Sequence, residues 1–130
     1  MAFPQTRLRR LRLTDGLRRM TRSTRLHPDD LILPIFVHDN DPGSTEDISS
    51  MPGVKRWGLD RLPEILQEAQ EAGLSSVILF GLPNDRSEQG QSAMNPDGIF
   101  ARAIAKAKAT VPDMVVISDV CFCGFTDHGH

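Results

Sequence analysis

No apolar stretch in this chain approaches the roughly 20 residues that a membrane-spanning helix needs. The arginine-rich beginning lacks the apolar segment of a secretory signal. It is also poor in acids, as transit peptides are, so organelle import is disfavoured rather than excluded. Cysteine occurs only twice in 130 residues, too rarely for a disulfide scaffold. The expectation is a soluble protein of a reducing compartment, the cytoplasm. An apolar fraction of 39%, a charged fraction of 25%, 10 glycines and 9 prolines exclude a collagen-like, coiled-coil or wholly disordered chain. The length is one domain's worth, enough to bury a core.

The net charge of −2 hides an asymmetry. Residues 1–25 hold eight arginines against the single acid Asp15, a surplus of seven positive charges, so the other 105 residues are nine negative. A basic arm on an acidic body can touch nucleic acid through phosphates, wrap the acidic body of a neighbouring subunit, or be a solvated tail. It has no Tyr or Trp, and Phe3 is its only aromatic, which gives base stacking little support.

The body alternates strand and helix signals. Leu31 to Val37 is an apolar run of strand length, with Pro34 marking a strand start, an edge or a bulge. About twenty residues of turn chemistry follow, His38 to Gly58, with Trp57 near their end; so long a connection is more often functional than idle. Asp60 reads as an N-cap; Leu62, Ile65, Leu66 and Ala69 follow at helical spacing, and Gly73 supplies the stop. Val77 to Phe80 is a second strand. Asn95-Pro96 reads as N-cap and first turn of a second helix, striped by Ile99, Ala103, Ile104 and Ala107 and ended by Pro112. Met114 to Cys123 is expected as a third strand. Strands joined by helices imply an α/β chain with a parallel sheet.

On a continuous strand, Val115, Ile117, Asp119, Cys121 and Cys123 would share one face, placing a carboxylate and two thiols at its C-terminal end, where parallel α/β folds bind ligands. Two sulfurs two residues apart can ligate one soft cation, zinc among the common divalent metals. The plainer reading makes both cysteines small buried hydrophobes. Asp127, His128 and His130 are candidates for further ligands or acid–base groups, or simply parts of a polar glycine-hinged loop.

Asp119-Val-Cys-Phe-Cys-Gly-Phe-Thr-Asp-His-Gly-His130 closely resembles the metal-site motif of the porphobilinogen synthase (5-aminolevulinate dehydratase) family, zinc-thiolate type. The resemblance runs along the chain. Arg9-Arg-Leu-Arg12 and Leu17-Arg-Arg-Met20 resemble the family's N-terminal arm, and Asp30-Leu-Ile-Leu-Pro-Ile-Phe-Val37 its first barrel strand. Ile48-Ser-Ser-Met-Pro-Gly-Val54, Leu79-Phe-Gly-Leu-Pro83 and Asn95-Pro-Asp-Gly98 fall in the family's order. The resemblance implies residues 1–29 as an arm that wraps a neighbouring subunit of a homo-octamer. It implies residues 30–130 as the first part of a (β/α)₈ barrel, ending after the third strand. The implied reaction condenses two 5-aminolevulinate molecules to porphobilinogen with loss of two waters, early in haem and other tetrapyrrole synthesis. Two lysines form Schiff bases with the substrates, and zinc on three cysteines polarises the second substrate. Cys121 and Cys123 match the first two of those cysteines. Asp119 matches an aspartate of the barrel interior, implied to orient substrate or relay protons; a structural hydrogen-bond acceptor is the plainer role.

Some family features have no counterpart. The family motif continues with a third cysteine just after the position of His130. Lys55, Lys106 and Lys108, the only lysines, match neither Schiff-base lysine, and any allosteric magnesium site would lie outside these residues. Where relatives commonly have Lys-Asp after the second strand, Arg86-Ser87 stands here, and Ser23 stands where the arm often carries Glu. A barrel of this kind takes roughly 250 residues, so three strands leave an open sheet edge that invites pairing between chains. The expectation is the N-terminal part of a longer enzyme; the rival is a non-catalytic assembly partner whose arm docks onto full-length subunits. Purified alone, the 130-residue chain is expected to be inactive, to bind zinc poorly and to aggregate. Incubation with 5-aminolevulinate checks this, and turnover above the blank would overturn it.

Overall fold

The computed structural model describes residues 3–129. Its centre is a mixed five-stranded sheet with strands in the order β2-β3-β1-β4-β5. They are β1 (Ile32–His38), β2 (Thr45–Asp47), β3 (Lys55–Gly58), β4 (Ser76–Leu82) and β5 (Val115–Ser118). Helix α1 (Asp15–Met20) lies in the arm, while α2 (Leu62–Glu71) and α3 (Ile99–Thr110) connect the parallel strands. Among the described residues no helix is long and apolar enough to cross a membrane.

The longest ladder pairs β1 with β4 in parallel, from Ile32 opposite Ser76 to His38 opposite Leu82. Pleating sends alternate residues to opposite faces. Ile35, Val37, Val77 and Leu79 point to the face that α2 and α3 cover, where they meet Leu62, Leu66, Ala69, Ile99, Ala103 and Ala107 in one buried cluster. Ile65 and Ile104 flank it, so both helices bury the stripes read from their periodicity. Apolar burial of this kind stabilises by about 25 cal/mol per Å² and is what holds the helices in place. The opposite face carries Pro34, Phe36, Ile78 and Phe80, with Phe36 and Phe80 stacked at 5.2 Å between ring centroids.

Four sequence expectations need correcting. The sheet has five strands, not three, because the stretch from His38 to Gly58 contains a hairpin, β2 antiparallel to β3. β3 in turn lies parallel to the last residues of β1, Phe36 opposite Arg56 through His38 opposite Gly58. Trp57 on β3 packs against the core cluster. The cap of α2 is Arg61, one residue later than expected, since the Asp60 carboxylate is held by Lys106 Nζ at 2.9 Å. Asn95 does not cap α3: its side chain accepts from the Asp97 amide at 3.0 Å, and Gly98 precedes the first helical residue. The third parallel strand stops at Ser118 rather than running to Cys123. The α2 stop is as expected, with Gly73 at φ +83° and its amide donating to Gln70.

The arm is held to the body by little. No residue from 3 to 34 is buried, and Leu8, Leu13, Met20 and Leu26 expose most of their side chains. Helix α1 is a local structure, capped by the Thr14 hydroxyl accepting from the Leu17 amide at 3.2 Å and braced by an Asp15–Arg18 ion pair.

Gly58 closes the hairpin's base. A Cβ there would overlap the carbonyl oxygens of Asp41 and Pro42, which are fixed by the Ser44 and Asp60 amide hydrogen bonds. Backbone cannot step aside as a side chain can. Gly58→Ala is therefore expected to lower stability by about 1–3 kcal/mol, measured as a fall in the urea midpoint with an unchanged slope.

Candidate functional site

β1, β4 and β5 all point their C-terminal ends at one region. There a cavity of about 260 Å³ is lined by Phe36, Phe80, Leu82, Phe100, Asp119, Cys121, Cys123 and Phe125. A larger concavity, about 830 Å³, lies in the arm among Phe3, Thr6, Arg7, Leu8, Arg9 and Arg12, but holds no nucleophile or metal ligand. The chemistry is at the strand ends.

Asp119 follows the last residue of β5 and is half-buried. Its Oδ1 accepts from the Cys121 amide at 3.3 Å. An aspartate bonding its own backbone two residues on competes with a strand ladder, which is why β5 ends at Ser118. The alternation expected through Cys123 thus fails, yet both cysteines line one cavity, near enough for Cys121 to act on the Cys123 thiol. The two cysteines come together through a turn rather than across one strand face. Both are exposed, which overturns the reading of small buried hydrophobes.

The turn is well tied. The Phe125 amide donates to the Phe122 carbonyl at 2.9 Å, and the Thr126 hydroxyl to the Cys123 carbonyl at 3.4 Å. Phe125 is buried and meets the Phe100 ring edge-on, 6.3 Å between centroids. Asp127 and His128 are exposed, and His128 Nε2 lies 3.1 Å from the Glu88 carbonyl oxygen. Among the described residues no three Cys, His, Asp or Glu side chains converge as a metal cage, so neither Asp127 nor His128 completes a set with the thiols. His130 lies outside the described residues.

The three lysines sit elsewhere. Lys106 is held by Asp60, Lys108 donates to the carbonyls of Pro112 and Met114 at 2.8 and 3.1 Å, and Lys55 is exposed on β3. What residue-by-residue reading missed is the aromatic wall. Phe36 and Phe80 could have been found from their registered places on β1 and β4, but Phe100 and Phe125 carry no local signal.

The Cys123 thiol is pushed above its ordinary value, chiefly by its hydrogen bond with Cys121, then by the neighbouring sulfur's charge and by burial, with a smaller push from Asp119. A raised value means less thiolate near neutral pH and slower alkylation. Cys121→Ala removes the main cause. It should move the midpoint of Cys123 alkylation to lower pH and speed the reaction at pH 8; an unchanged pH–rate profile would show that the sulfurs do not interact.

The delta-aminolevulinic acid dehydratase family model matches residues 5–130. Over 124 residues the chain is 44% identical to the delta-aminolevulinic acid dehydratase of Helicobacter pylori strain J99, covering 95% of this chain and 38% of that protein. It is 46% identical over 134 residues to the Streptomyces coelicolor enzyme of the same name, covering 99% of this chain and 40% of that one. The crystal structure of the Toxoplasma gondii ME49 delta-aminolevulinic acid dehydratase (porphobilinogen synthase), in complex with its reaction product porphobilinogen, superposes with a TM-score of 0.87 at 33% identity. That match covers 97% of this chain and 36% of the other. The chain thus spans about two-fifths of the length of the curated relatives it matches. With the family model covering nearly every residue and the fold agreeing, the chain belongs to the delta-aminolevulinic acid dehydratase family.

Proposed function

We propose that this chain supplies the arm, the first strands of the barrel and the thiol pair of a porphobilinogen synthase. That enzyme condenses two 5-aminolevulinate molecules to porphobilinogen, with loss of two waters, in tetrapyrrole synthesis. The observation that carries the reading is the paired Cys121 and Cys123 beside a carboxylate, at the strand ends of a sheet that superposes on a product-bound relative.

The donor set fits a soft cation. Two adjacent thiols, exposed and held by a turn, suit zinc, which takes four ligands in closed sites and fewer protein ligands where substrate must bind. When bound, such a metal would act as a Lewis acid on a substrate carbonyl or hydroxyl. Cys121 and Cys123 would hold it as thiolates, with further donors beyond these two. Asp119, at the end of β5, would orient the substrate amine or move a proton. The Phe36, Phe80 and Phe100 wall would exclude water, which strengthens each charge interaction inside. Schiff-base lysines fall to residues other than Lys55, Lys106 and Lys108, whose positions lie away from the cavity.

Residues 1–29 would form the arm of a homo-oligomer, an octamer, and residues 30–130 the first part of the catalytic body. The arm supports this by what it leaves uncovered: Leu8, Leu13, Met20 and Leu26 stand out beside eight arginines, a surface suited to an acidic, apolar-edged neighbour of the same kind.

In the protein as its gene encodes it, loaded with zinc, porphobilinogen should accumulate from 5-aminolevulinate. Replacing both cysteines (Cys121→Ser with Cys123→Ser) should remove bound zinc and lower kcat/KM by at least about 100-fold, since such metals supply several kcal/mol of transition-state stabilisation. No product from the zinc-loaded protein, or full activity in the double variant, would overturn the reading.

A further inference from the structure

The loop between β4 and α3 zips onto the loop that follows β5. Ser87 and Thr126 form a parallel bridge. The Ser87 amide donates to the Phe125 carbonyl and the Asp127 amide to the Ser87 carbonyl, both at 3.3 Å. One residue along, His128 Nε2 reaches the Glu88 carbonyl. The bridge leads back to the sulfurs, because the same segment closes the Phe122–Phe125 turn that contains Cys123.

Two residues give the β4–α3 loop the shape that makes this contact. The Ser87 hydroxyl accepts from the Gln91 amide at 3.2 Å, and its carbonyl accepts from the Gly90 amide at 3.1 Å. Gly90 adopts φ +60°, which side-chain-bearing residues rarely take. A Cβ there would lie 3.4 Å from Thr126 Cγ2 and 3.6 Å from both Phe122 Cδ1 and Phe125 Cβ, so the cysteine loop rests directly on the glycine. Phe125 pins the assembly to Phe100.

We propose that the Ser87–Gly90 turn is a positioning device for the thiol pair. It holds the loop 122–127 so that Cys121 and Cys123 face one metal ion together. The inference rests on the metal-binding reading above and adds residues that touch neither sulfur. Ordering two exposed thiols costs entropy, and a turn that orders them beforehand removes that cost from metal binding. Groups that orient metal ligands typically change affinity 10- to 100-fold when removed. An aspartate carboxylate at position 87 could accept from the same Gln91 amide that the Ser87 hydroxyl holds.

The test is a cobalt(II) titration of the gene-encoded protein, read by its thiolate-to-cobalt charge-transfer absorption, with far-UV circular dichroism confirming folding. Ser87→Ala and Gly90→Val should each weaken cobalt binding by about 10-fold or more and reduce the thiolate band, while Ser87→Asp should restore both. Wild-type affinity and band in folded Ser87→Ala would overturn the inference while leaving the metal-binding reading intact. No thiolate band in the wild-type protein would overturn that reading and this inference with it. Should Gly90→Val fail to fold, the loss in Ser87→Ala and its recovery in Ser87→Asp decide the matter.

Discussion

The seven-residue parallel ladder between β1 and β4 is the constraint on which the rest depends. A parallel register fixes both faces of the sheet at once, because a slip by one residue would exchange them. With Ile35 opposite Leu79 and Val37 opposite Gly81, one face becomes flat and apolar, and α2 and α3 can bury their stripes against it. The same register sets Phe36 against Phe80 on the other face and brings the ends of both strands level. Gly81 is part of this economy: a Cβ there would strike the Phe100 ring, which sits over it and turns towards Phe125. The cavity is thus a consequence of the pairing rather than a separate construction.

What could be read from the chain follows from how local each signal is. β1, β4, α2 and α3 announce themselves through apolar periodicity, since the residues that decide them are neighbours in sequence. The β2–β3 hairpin does not. Its strands, Thr45–Asp47 and Lys55–Gly58, are short and largely polar, and β3 is a strand because β2 on one side and the end of β1 on the other offer it partners. The extended reading of Met114–Cys123 failed for a different reason. Alternation describes what side chains do if the backbone stays extended, and the Asp119 carboxylate gives the backbone a closer partner. Asp60 and Asn95 failed similarly as caps, one diverted by Lys106 and the other by a local turn. Polar side chains at element ends have several partners within reach, and tertiary packing chooses among them.

The candidate site divides along the same line. Asp119, Cys121 and Cys123 were legible because they lie within five residues of one another and carry distinctive chemistry. The wall of Phe36, Phe80, Phe100 and Phe125 comes from four separate elements, and the Ser87–Thr126 bridge is made by backbone groups that any residue possesses. No pattern of residue types can reveal such a contact.

The place of the thiols outside a strand has its own logic. On a continuous strand, neighbours on one face are separated by two residue rises, roughly 6.6 Å, and both sulfurs would stand upright from the sheet. The turn begun by Asp119 instead folds the chain so that Cys121 and Cys123 line one cavity. There Cys121 holds the Cys123 thiol above its ordinary value, which favours the protonated form. A thiol must lose that proton to become a ligand, so metal uptake by the proposed pair would release it and would weaken as pH falls. The arrangement that makes the pair reluctant to ionise alone is one that a divalent cation would favour, because its charge would stabilise two adjacent thiolates. Exposure then matters as much as proximity: a buried pair would hold its proton more firmly still, and Cys121 and Cys123 are both exposed.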